Sequence, residues 1–336
     1  MTARTLFLFL LLPLYILGEP QIKEVIGRSS GLTSPFGVAF DDDENAYIAE
    51  YEGGRILLLE KSGQLHRLSG AAKKGYAGDG LPAVQGLFNS MHNLAWASNN
   101  ILYISDTKNN LIRKINRNNN RLSTFAGVPK KKGFSGDGGP AYKAKLDTPI
   151  SISLTPDEKN LLIADIRNRR IRAINLDTGI IRTIAGNGKK GKPVDGRHTL
   201  KQPLVDPRAA VMDNDGNLFV IERSGHALRV VRPNGKIYTI TGTGKKGQRD
   251  GSAMQATFNG PKHLCLDRKG RIIIADDNNN LIRLYDPKTE TVSTILGGNV
   301  KPKTILNRPH GVTIAPNGSL WVCDSWNNRI LTLSNY

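Results

Sequence analysis

Lysine pairs ahead of a glycine recur along this chain: Lys73-Lys74-Gly75, Lys131-Lys132-Gly133, Lys189-Lys190-Gly191 and Lys245-Lys246-Gly247. Each is followed within a few residues by Asp-Gly, at Asp79, Asp137, Asp195 and Asp250. A matching stretch further on carries Lys301 and Lys303. Lysine is a compact point charge that attracts phosphate, sulfate or carboxylate without fine discrimination. A recurring set of like charges repels itself, so the pattern points to a polyanionic ligand. The plainer alternative is that a duplicated unit carries its lysines along as solvated surface. Arg113, Arg167, Arg169, Arg170, Arg223 and Arg229 fall in or beside the neighbouring loops and would add to a basic face.

Acids recur as well. Glu50, Asp106, Asp165, Glu222, Asp276 and Asp324 each close an apolar run, every 48–59 residues. A residue present in every unit is read as a turn device that caps loop N–H groups.

The elements that must position these groups follow from that period. Each unit resolves into four short strands; in the fifth these are His263–Leu266, Arg271–Ala275, Leu281–Tyr285 and Val292–Leu296. The turns carry hairpin chemistry at Asp215-Gly216, Asn234-Gly235 and Asn317-Gly318. Four-stranded antiparallel units at a fixed period predict an all-β fold, a single six-bladed β-propeller, since an isolated unit cannot bury both faces. Fourth strands end in LSTFAG, IRTIAG, IYTITG and VSTILG, and the sixth unit lacks one. Its equivalent, IKEVIG at 22–27, lies at the N-terminal end. That strand is expected to complete the last blade and close the ring. The Asp213–Asn217 run resembles the start of a calcium loop but sits on a hairpin turn.

The residues now resemble a known family. Pro309-His310-Gly311-Val312 followed by Asp324 and Asn327-Asn328-Arg329-Ile330 resembles the NHL repeat, and Pro35-Phe36-Gly37-Val38 is a second match. Gly78–Ala83 and Gly136–Ala141 show the GDG-x-P-A variant of secreted members. The resemblance implies the six-bladed fold over residues 21–336. It leaves the activity open, because similar propellers include RNA-binding and protein-binding modules, lactonases and a peptide-amidating lyase.

In such propellers the loop entering each blade and the loop between its second and third strands share one mouth, where ligands meet the channel. The residues expected to start the innermost strands are Phe36, His92, Ile150, Arg208, Lys262 and His310. The expected ligand site is therefore Lys73, Lys74, Lys131, Lys132, Lys189, Lys190, Lys245 and Lys246 around the mouth, with His92, Arg208, Lys262 and His310 inside it. A lyase relative holds zinc through His at this position. Here only His92 and His310 match, and His263 is one place out of register, whereas catalytic zinc takes three protein ligands. No cofactor is expected; zinc or calcium enters only under the alternative of a metal-assisted hydrolase or lyase. No catalytic residue is assigned.

Composition bounds the rest. The 336 residues hold 47 Lys+Arg against 29 Asp+Glu, a formal charge of +18, which steers anionic partners. Arg4, the apolar Leu6–Leu17 run and Gly18 read as a secretory signal over residues 1–18, shorter than the roughly 20 apolar residues of a membrane span, with an uncleaved anchor as the alternative. The mature chain, 19–336, is expected to be secreted, extracellular or periplasmic, and monomeric with no membrane span. Aromatics make up only 6%. That and the compartment argue against nucleic acid as partner, leaving an acidic glycan or an acidic protein surface. Cys265 and Cys323 fall on different strands of different units and are expected as two buried free thiols.

Overall fold

The computed structural model describes residues 18–336. The expected signal segment lies almost wholly outside the described residues. Six antiparallel sheets each hold four long strands, and two of them gain a two-residue outer bridge, at Arg197–His198 and Gly251–Ser252. The innermost strands are Pro35–Phe40, Leu94–Ala97, Pro149–Leu154, Pro207–Met212, His263–Leu266 and Pro309–Ile314. They pack side by side around the axis. Gln21–Ile26 pairs antiparallel with Arg329–Ser334. The N-terminal strand thus completes the sixth blade, as expected, and removes the free sheet edge a propeller would otherwise leave. Among the described residues no helix is long and apolar enough to cross a membrane.

The core lies between blades. Ile104, Leu102 and Ile115 of the second blade pack with Tyr47, Ala49 and Ile56 of the first, and comparable clusters fill the other joints. Strand alternation turns one face of each sheet to each neighbour, which is why the strands read as nearly continuous apolar runs. The last joint is filled by Ile26, Val38, Ile48, Cys323 and Ile330, so the N-terminal strand is packed as well as hydrogen-bonded.

The acids are turn devices, as anticipated, and the structure shows their full wiring. All six are fully buried. Each accepts the backbone N–H of a residue 17 positions earlier, or 18 in the third blade, from Thr33→Glu50 at 2.8 Å to Asn307→Asp324 at 2.7 Å. Each also pairs with an arginine of its own blade. In blades two to five that arginine lies seven residues on (Arg113, Arg172, Arg229, Arg283); in blades one and six it lies five on (Arg55, Arg329).

This wiring also accounts for the Asp-Gly pairs. Asp79 takes Arg113 at 2.7 Å, Asp137 takes Arg172 at 2.7 Å and Asp250 takes Arg283 at 2.6 Å. The same aspartates accept from Thr124, Thr183 and Thr294 of the outer strand, and Asp195 accepts from Thr239. The lysine loops occur only where this aspartate does, entering blades two to five. Arg113 and Arg229 are therefore not part of a basic face: they are buried and ion-paired. Arg170 lies over the Phe134 ring at 3.7 Å, and Arg223 pairs with Asp206 at 2.7 Å. Both thiols are free. Cys323 is buried, but Cys265 is only half-buried, because its end of the strand lines an open cavity.

Candidate functional site

A bulge opens the innermost strands. Pairing slips between Pro35 and Gly37, Pro149 and Ile152, Pro207 and Ala209, and Pro309 and Val312. In blades two and five regular pairing begins only at Leu94 and His263. A bulge re-aims the side chain it carries. Here it brings Phe36, His92, Ile150, Arg208, Lys262 and His310 together at one end of the channel, all buried. The glycines of the Pro-x-Gly-Val segments permit this crowding. A Cβ on Gly311 would stand 2.3 Å from the Phe36 carbonyl oxygen, and one on Gly37 would stand 2.9 Å from Asn93 Cα.

The rings confirm the convergence. Phe36 stacks on His310 with centroids 3.9 Å apart, His92 and His310 are 5.5 Å apart, and Tyr51 stacks on the other side of Phe36 at 4.4 Å. Tyr51 belongs to a second ring that sequence reasoning missed: the residue after each acid. Around the mouth these are Tyr51, Thr107, Ile166, Arg223, Asp277 and Ser325. Thr107 and Ser325 donate to the Pro149 and Pro35 carbonyls of the next blade, at 2.8 and 2.6 Å. Asp277 is fully buried and serves three neighbours: Lys262 Nζ at 3.3 Å, His310 Nδ1 at 3.6 Å and the Arg308 guanidinium. Comparing this position across the six units would have singled it out.

The electrostatics divide the mouth. Burial, reinforced by Arg208, pushes the His92 imidazole well below its usual value; burial with Lys262 and Arg208 does the same for His310. His92 Nδ1 lies 3.1 Å from the Ser90 carbonyl and 2.9 Å from Thr107 Oγ1. Burial brings Lys262 down to about 8 against the pull of Asp277, and it is mostly charged at neutral pH. Blades one to three thus present an aromatic and aliphatic wall, with His92 and Thr107. Blades four to six present Arg208, Arg223, Lys262, Asp277 and His310.

Beneath the ring, Asn93 and His263 meet across the channel, Nδ2 to Nε2 at 3.2 Å, while His263 Nδ1 bonds the Val312 carbonyl at 3.1 Å. His263 therefore points elsewhere than His92 and His310, as its register requires. Below it the channel widens into a 370 Å³ cavity at the opposite end. The mouth is a cup with a polar floor.

The lysine loops surround this cup. All eight lysines of the four pairs are exposed. Three loops are tied to the mouth by the first asparagine of the next turn: Asn109, Asn168 and Asn279 donate to the carbonyls of Gly75, Gly133 and Gly247 at 2.8, 2.7 and 2.7 Å. The second position of that turn is left-handed, at Asn110, Arg169, His226, Asn280 and Asn328. Lys74 lies 5.4 Å above the Tyr51 ring and pairs with Glu52 at 2.7 Å. A divalent cation does not fit the cup. Asp277 is already shared by two cations, Arg208 bears on both imidazoles, and among the described residues no third neutral ligand joins His92 and His310.

Comparison with known proteins agrees with this architecture. The NHL repeat model matches residues 306–333, the sixth blade's core. NHL repeat-containing protein 2 of Bos taurus is 28% identical over 85% of this chain. The chain is an NHL-repeat β-propeller. SUPPRESSOR OF QUENCHING 1, a chloroplastic protein of Arabidopsis thaliana, is 29% identical over 62% of this propeller. This NHL propeller spans about a quarter of that relative's length and about half of the bovine one's. A solved streptogramin B lyase superposes on it with TM-score 0.60 at 16% identity, covering 94% of this chain and 97% of the lyase, a likeness of fold.

Proposed function

We propose that this propeller is a secreted, non-enzymatic binding module whose basic mouth takes a polyanionic ligand, an acidic glycan or an acidic protein surface. The observation that carries this reading is the set of eight exposed lysines on four loops around one channel mouth, with three of the loops held by the same asparagine bond. Exposed lysines at that spacing sum their fields over the mouth, and the effect falls with salt over a Debye length of about 8 Å at physiological ionic strength. The test is retention on heparin against a salt gradient, with a cation exchanger of matched charge density as control. Later elution from heparin is expected. It should collapse to the exchanger's value when Lys73, Lys74, Lys131, Lys132, Lys189, Lys190, Lys245 and Lys246 are neutralised. Equal elution of the unaltered protein from both columns would refute the reading.

A second reading is an enzyme. It is favoured by the lyase-like fold and by a buried carboxylate–imidazole pair, Asp277 and His310, at the mouth. Because the cup does not suit a dication, no step is derived through a metal. Stoichiometric zinc or calcium in the purified protein would reverse that judgement.

A further inference from the structure

Arg208 stands apart from every other buried arginine. Arg113, Arg172, Arg229 and Arg283 are each held by a carboxylate and further acceptors. Arg208 is 6% exposed, and no protein atom among the described residues hydrogen-bonds or ion-pairs its guanidinium. Only Nε is sealed from solvent without a partner, so the fork itself keeps a narrow opening to the channel. Its neighbours place it within the cup: it bears on His92, Lys262, His263 and His310, which come from three other blades. The carboxylates whose charge reaches it are engaged elsewhere, Asp206 with Arg223 and Asp277 with Lys262 and Arg308.

A buried charge without a partner is costly and persists where something outside the protein completes it. A guanidinium offers a planar fork that matches a carboxylate with two parallel bonds. The facing wall of Phe36, Tyr51 and Ile150 offers carbon and suits the body of an organic acid better than a bare inorganic ion. His310 Nε2, also buried and unpartnered, is a second polar contact within the same cup.

We propose that the cup is a receptor for an organic carboxylate, with the carboxylate on Arg208 and its carbon body against Phe36, Tyr51 and Ile150. This deepens the anion-binding reading above and rests on it for the choice of mouth.

The test uses benzoate and inorganic sulfate as probes, followed by chemical-shift titration of the labelled protein. Benzoate should bind saturably and more tightly than sulfate. Arg208→Gln should weaken benzoate about tenfold or more, as loss of a charge-assisted bond implies. The eight-lysine variant should lose heparin retention and weaken benzoate less than Arg208→Gln does, so failure of the cup and failure of the lysine ring are read separately. Without ligand, Arg208→Gln should melt at or above the parent temperature, because it removes an unpaired buried charge. Benzoate binding that survives Arg208→Gln, sulfate binding as tight as benzoate, no saturable binding, or a large fall in melting temperature would each overturn the proposal. The last would make Arg208 a structural residue.

Discussion

At the acid position the six blades carry Glu50, Asp106, Asp165, Glu222, Asp276 and Asp324; at the bulge position they carry Phe36, His92, Ile150, Arg208, Lys262 and His310. Both sets sit at equivalent backbone places, and both are buried. The first set repeats one chemistry six times, always with an arginine and a loop N–H. The second never settles on one chemistry and, among the described residues, leaves the Arg208 guanidinium and His310 Nε2 without hydrogen-bond partners. Repetition within the chain marks what every blade needs in order to fold. Divergence at an equivalent place marks what the assembled ring presents to something else. The lysine loops fall between the two: they repeat, and the Asp-Gly that follows them is structural, but the lysines themselves reach solvent.

The comparison breaks most visibly if arginines of the two kinds behave alike. Arg283→Ala should destabilise the fold by about 3–5 kcal/mol in denaturant unfolding, since Asp276 is left buried and unpaired. Arg208→Gln should cost nothing by the same measurement. Arg55→Ala and Arg329→Ala should cost less than Arg283→Ala, because these arginines are about a quarter exposed and reach their acids from nearer positions.

The pH dependence sharpens the contrast further. His92 and His310 are held neutral in the fold but titrate near 6.5 when unfolded. Above that pH neither state binds the proton. As pH falls through 6.5 the unfolded chain takes up protons that the fold refuses, and stability drops by at most about 1.4 kcal/mol per pH unit for each histidine. A His92→Gln/His310→Gln variant should show a shallower decline between pH 7 and 5 in thermal unfolding than the parent. An identical decline would mean that the ring imidazoles accept protons freely.

Smaller effects concern the loops. Asn279→Ala removes one bond to Asp276 and one to the Gly247 carbonyl, and should cost about 1 kcal/mol. It should also bring elution from heparin slightly earlier by loosening the Lys245–Lys246 loop. Benzoate affinity should ease downward as pH rises through about 8, where Lys262 gives up its charge. An affinity flat to pH 9 would remove Lys262 from the cup's field.

Much of this molecule was legible from periodicity. Recurring acids and four-strand units implied six blades, and the IKEVIG segment implied closure through the N-terminal strand. Phe36, His92, Arg208, Lys262 and His310 could be aligned by their place ahead of each unit's first strand, with Pro-x-Gly-Val marking the first and last of them. Less legible were the partners. Nothing in the spacing distinguished Arg113, sealed between Asp79 and Asp106, from an arginine on a basic face, because burial of a loop-flanking residue depends on a loop packed from the preceding blade. Asp277 was overlooked because it follows a recurring acid and reads as part of the same turn.

The sequence by itself determined the blade count, the strand order, the closure and the pairing of lysine with Asp-Gly loops, because these depend on local period, turn chemistry and alternation. Only the tertiary structure decided which charges neutralise one another and which one is left over. The ion pairs of the sealed arginines join residues 7 to 35 positions apart across turns and entering loops. Arg208 acquires its meaning from residues that other blades bring around it, an arrangement that no local pattern encodes.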